Sequence, residues 1–119
     1  MLVRGEVIRK IGAFDPGYFM YCEDVDWCWR TWEAGYKVVY LPSAVITHAI
    51  GRSTDKAANK MIVRFHKSML RFYRLHQLPR AFVLLRPGAY VLAALALSLR
   101  ASIFLLKNAF DALRRKVSR

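Results

Sequence analysis

The chain has 119 residues, 55% of them hydrophobic and 13% aromatic, which is too apolar for a disordered polypeptide and enough for one modest core. Its net charge of +12 is unevenly placed: residues 1–50 hold five Lys/Arg against six Asp/Glu, whereas residues 51–119 hold fifteen against two. The near-neutral first half suits a catalytic surface, and the basic second half suits phosphate-bearing partners such as anionic lipid, lipid diphosphate or nucleic acid.

Residues 1–3 form a short apolar run expected to make a buried strand, and residues 6–11 have the apolar spacing of one or two helical turns before Gly12. A strand at the first residue has no lead-in, so an internal start is expected. No cationic stretch leading into a long apolar run opens the chain, and no secretory signal is expected. Asp15-Pro16-Gly17 sets a tight turn between aromatic residues.

From Glu23 to Ala34 the apolar residues Val25, Cys28, Trp29 and Trp32 recur at helical spacing, and Gly35 stands where a C-terminal cap belongs. Cys22 and Cys28 match neither a redox nor a common zinc spacing and read as free thiols. Residues 36–41 are rich in β-formers up to Pro42, with a second candidate strand over residues 44–47 before a polar loop around Gly51. Residues 55–77 read as a long basic helix with an apolar stripe of Met61, Phe65, Met69, Phe72 and Leu75, stopped at Pro79.

The tail has two readings. Residues 88–106 interrupt their apolar run only with Ser98, Arg100 and Ser102, and as a helix would reach about 28 Å, nearly a bilayer core. Arg86, Arg100, Lys107 and Arg114 nevertheless share one heptad-spaced stripe, which favours an amphipathic helix in the membrane interface over a spanning one.

The densest chemistry lies in Tyr21-Cys22-Glu23-Asp24-Val25-Asp26-Trp27, where three carboxylates open a helix among large aromatics. Acids there are ordinarily capping and dipole partners. A carboxylate beside an aromatic wall in a partly desolvated cleft can also serve as general base toward a sugar hydroxyl. Trp29 and Trp32 share a helical face and read as core; Trp27 lies on another face and, with Tyr21, is the better candidate for acceptor contact.

Gly12-x-Phe14-Asp15, then Phe19-x-Tyr21-x-Glu23-Asp24-x-Asp26, Arg30, Gly35-Tyr36, Pro42 and His48-x-x-Gly51-x-Ser53 together resemble family 2 glycosyltransferases, over about residues 1–77. Within that family its motifs look like those of the rhamnosyl- and galactofuranosyl-transferases of bacterial surface polysaccharides. The resemblance implies an α/β fold, the acceptor-side half of a GT-A fold; the residue patterns add the long basic helix and an amphipathic or transmembrane C-terminal helix after it. The parts are residues 1–79, from the transferase domain, and residues 80–119, a membrane-associated tail.

It implies inverting transfer from a nucleotide-sugar donor to a saccharide or polyprenyl-linked acceptor, and the basic tail fits a place on the cytoplasmic face of a membrane, held by its anionic surface. By position, Asp24 matches the catalytic base, with Glu23, Asp26, Tyr21 and Trp27 around the acceptor. His48 matches a ligand to a divalent metal, Mg or Mn, in the complete enzyme, and Arg52 and Ser53 could contact the diphosphate. The family's Asp-x-Asp donor motif is missing outside Asp24-Val25-Asp26, so an N-terminal donor-binding half, on this or a separate polypeptide, is expected to be needed for activity. The competing reading is a non-catalytic basic module binding membrane or nucleic acid. The apolar stripe of the basic helix, which demands burial, and the lack of a nucleic-acid motif argue against nucleic acid.

Overall fold

The computed structural model describes residues 1–47 and 58–117, with side chains described as far as Arg114. The chain divides into two compact units, Met1–Ile50 and Gly51–Arg119.

In the first unit, α1 (Gly5–Ile11) and α2 (Glu23–Glu33) flank the Asp15-Pro16-Gly17 turn. That turn closes as expected, with Asp15 accepting the Gly17 amide at 2.8 Å on its side chain and the Tyr18 amide at 3.1 Å on its carbonyl. Helix α1 ends at Gly12, whose φ of +79° a side chain would strain and whose amide donates to Ile8 O at 2.9 Å.

Helix α2 ends as the sequence expects, at Gly35 with φ +87°. The Gly35 amide reaches Trp32 O at 3.0 Å and the Tyr36 amide reaches Thr31 O at 3.1 Å, the paired bonds of a Schellman motif. Val7, Tyr18 and Trp27 form the small apolar core of this unit.

The expected strands are corrected: among the described residues none forms, neither at residues 1–3, nor at 36–41, nor at 44–47. A strand exists only when its amides find a partner strand, and β-rich composition supplies none. Leu2, Tyr40, Val45 and Ile46 are correspondingly exposed, and residues 41–44 close a turn with the Ala44 amide on Leu41 O at 3.2 Å. The α/β expectation is therefore met only in its helices.

The second unit is a helical hairpin. Helix α3 (Ala58–Phe72) carries the expected stripe, with Met61, Phe65, Met69 and Phe72 half-buried while Leu75 stays exposed. The helix widens into a π turn over Tyr73–Gln77, followed by a 3-10 turn, Leu78–Arg80, that holds Pro79. Pro79 has no amide for a regular i−4 bond and its ring crowds the carbonyl there, so the backbone opens ahead of it.

After a second 3-10 turn, Val83–Leu85, helix α4 (Arg86–Val117) runs 32 residues. Arg86 ties the connection down, its guanidinium donating to Pro79 O at 2.7 Å and Ala81 O at 3.2 Å. The two helices are antiparallel: Asn108 near the end of α4 donates to Asn59 at the start of α3, and the Phe104 ring lies 6.2 Å from that of His66. Small residues on the covered face of α4, Ala93, Ala94 and Ala101, permit the close approach. Helix α4 is long and apolar enough to cross a membrane.

Candidate functional site

The three acids at the start of α2 are held in different ways. Asp26 is 1% exposed. Its Oδ2 accepts Arg30 Nε at 2.8 Å, one helical turn on, and its Oδ1 accepts the Tyr18 hydroxyl at 3.3 Å. Arg30 then donates its remaining nitrogens to Ile11 O at 2.7 Å and Ala13 O at 2.9 Å. A buried carboxylate and a guanidinium thus clamp the end of α1 to the middle of α2, leaving Asp26 committed to the scaffold.

Trp27 completes the clamp. Its indole donates to Gly12 O at 2.9 Å and its ring meets Phe14 edge-on at 6.3 Å. At 5% exposure its ring is packed inside this unit, whereas the sequence pattern predicts it at the acceptor. Trp32, expected in the core, is instead 61% exposed and lines a cavity of about 410 Å³ with Gly35, Tyr36, Lys37, Val38 and Val39. The reversal has a simple origin: helical spacing assigns residues to faces without saying which face meets the core.

Glu23 and Asp24 diverge. Glu23 turns Oε2 into the protein, where it finds no hydrogen-bond partner among the described residues. Asp24 is exposed, with Oδ1 accepting the Val25 amide at 2.9 Å. It is the carboxylate of the three that faces solvent, at the positive end of a helix dipole.

The backbone leading into this pair is unusual. Tyr21 has φ +70° and Cys22, which immediately precedes α2, has φ +66°. Two successive left-handed residues that are not glycine each cost about 1 kcal/mol or more. No sequence signal announces this, since neither Tyr nor Cys favours that region.

The thiols stay protonated more readily than usual. Burial pushes the Cys22 thiol up, with the Asp24 and Glu23 charges adding, and burial followed by the Asp24 charge does the same for Cys28. Both are free cysteines, as expected.

His48, Arg52 and Ser53 lie outside the described residues. Among the described residues no three His, Cys, Asp or Glu side chains gather as metal ligands. With Asp26 taken by Arg30 and Asp24 facing solvent, these residues alone do not make a divalent-cation site.

Parts of the chain are similar to known sugar transferases. The N-acetylglucosaminyl-diphospho-decaprenol L-rhamnosyltransferase of Mycobacterium tuberculosis is 41% identical over 68 residues, 57% of this chain and 22% of that protein. Rhamnosyltransferase WbbL of Escherichia coli is 46% identical over 48 residues, 40% of this chain and 18% of that protein. The pre-mycofactocin glycosyltransferase of M. tuberculosis is 42% identical over 48 residues, 40% of this chain and 10% of that protein. No protein-family model matches the chain, and no solved structure matches it. The chain spans about a fifth of the length of the first two relatives, and all three relatives are glycosyltransferases.

Proposed function

We propose that the chain is the acceptor-side portion of an inverting family 2 glycosyltransferase with a GT-A fold, and that Asp24 is its general base. The observation that carries this reading is the fate of the three acids. Asp26 is locked to Arg30 and Glu23 turns an oxygen inward, so Asp24 alone is left at the surface of a frame that the clamp makes rigid. Identity of 41–46% to rhamnosyltransferases supports it independently.

In this mechanism an acceptor hydroxyl gives its proton to the Asp24 carboxylate as its oxygen bonds to the anomeric carbon of the donor sugar. The bond from that carbon to the diphosphate breaks, and its electron pair leaves with the nucleoside diphosphate. Attack opposite the leaving group inverts the anomeric centre. A donor-binding half, on the same or another polypeptide, supplies the nucleotide sugar.

The acceptor is a saccharide on a polyprenyl diphosphate, the class that the first relative's name describes, and rhamnose is the first donor sugar to test. Glu23 and Tyr21 are the acceptor-side neighbours retained here, because Asp26 and Trp27 face the core. Arg52 and Ser53 are assigned to the diphosphate and His48 to a metal by their place in the motif alone.

The test is transfer of labelled sugar to a polyprenyl-diphosphate-linked acceptor by the wild-type protein and by Asp24→Asn, each supplied with a donor-binding half. Loss of a positioned base lowers the rate about 10²- to 10⁴-fold. Unchanged transfer by the variant would remove Asp24 from the role.

A further inference from the structure

Helix α4 has two unlike faces. The one against α3 is built from residues such as Tyr90, Ala93, Leu97, Ala101 and Asn108, all half-buried. The opposite face carries Leu92, Leu95, Leu99, Ile103, Leu106 and Phe110, each 57–69% exposed and spaced by three and four residues. Among the described residues of the hairpin nothing covers this continuous apolar strip.

Charge says what covers it. Arg100 and Lys107 each directly follow a leucine of the strip, and Arg114 follows Leu113, so the three exposed cations recur at seven-residue steps along one edge. Arg100 is further ordered by lying over the Phe104 ring, 5.8 Å from its centroid. The lone acid of α4, Asp111, sits half-buried on the covered side. An apolar strip edged by cations matches the boundary between acyl chains and anionic headgroups.

The hairpin also decides how α4 meets that boundary. Helix α3 lies antiparallel beside it, and α3 with its following turn exposes Lys60, Lys67 and Arg74 at seven-residue steps. Were α4 to stand across a bilayer, those cations and the Asn59–Asn108 pair would be carried into hydrocarbon, which is costly for charges without partners there. Lying in the plane, α4 buries its strip while α3 stays in water.

We propose that the outward face of α4 is a docking surface for an anionic lipid bilayer, bound in the plane of the interface without crossing it. This surface is independent of sugar transfer, and its test needs no donor or acceptor. Vesicles of phosphatidylcholine with and without phosphatidylglycerol are floated with the full 119-residue chain, in low salt and in about 1 M salt. The chain is expected to float with the anionic vesicles in low salt only, and alkaline carbonate is expected to strip it off.

Replacing all three cations, Arg100→Gln with Lys107→Gln and Arg114→Gln, is expected to lower partitioning about 100-fold, at about fivefold per cation. These side chains are exposed, so far-UV circular dichroism is expected to remain helical. Leu95→Asn with Leu99→Asn is expected to weaken binding to the same vesicles. Equal binding to neutral vesicles, full retention by the triple variant or resistance to carbonate would each overturn the proposal, the last in favour of a span. Salt-sensitive binding to DNA without vesicle binding would overturn it too.

Discussion

Arg30 Nε meets Asp26 Oδ2 at 2.8 Å across one turn of α2, and the same guanidinium holds the carbonyls of Ile11, at the end of α1, and of Ala13 just beyond it. The first unit is built around this pair, because its apolar core is small and no sheet supports it among the described residues. The clamp uses the donors of Arg in three directions at once, a task that a lysine ammonium on a flexible stem does poorly.

Arg30→Ala strands a carboxylate that is 1% exposed, and breaking a buried pair from one side costs about 3–5 kcal/mol. The guanidinium is partly exposed, so the lower end is expected, and Arg30→Lys is expected to recover little of it. Urea denaturation followed by tryptophan fluorescence reads this directly, since Trp27, Trp29 and Trp32 all lie on α2. Asp24→Asn, at an exposed site, is expected to shift stability by less than about 0.5 kcal/mol.

Cys22 occupies a left-handed position that glycine adopts without strain and β-branched residues resist. Cys22→Val is therefore expected to be less stable than Cys22→Gly by about 1–2 kcal/mol. Equal stability of the two variants would mean that the turn into α2 relaxes away from φ +66° in solution.

The thiols are expected to alkylate slowly at neutral pH, because burial and the Asp24 charge both favour the protonated form. Iodoacetamide labelling followed by mass spectrometry across pH 7–10 checks this, and Asp24→Asn is expected to speed labelling at both sites. The sign for stability follows. A thiol pKa raised on folding favours the folded chain below the unfolded thiol's range, and that contribution fades as pH rises through the folded one.

The helices were legible in the sequence because each carries its own signals: apolar spacing in α2 and α3, acids opening α2 and Gly35 closing it. What was not legible depends on neighbours. Residues 36–41 and 44–47 have strand composition yet form no ladder here, since pairing is decided by a partner strand. Trp27 and Trp32 exchanged places because spacing does not fix which face meets the core. The Asp26–Arg30 clamp could have been suspected from its four-residue spacing, whereas the left-handed Tyr21–Cys22 step has no sequence signature.

The most direct test of the central claim is an assay of sugar transfer. The wild-type protein, given a donor-binding half, is incubated with a nucleotide-activated rhamnose and an N-acetylglucosaminyl-diphospho-polyprenol, alongside Asp24→Asn and, as a control for folding, Glu33→Gln. The account predicts labelled product from wild type and control and a loss of about 10²-fold or more in Asp24→Asn with its fold intact. Transfer by Asp24→Asn at the wild-type rate would contradict it.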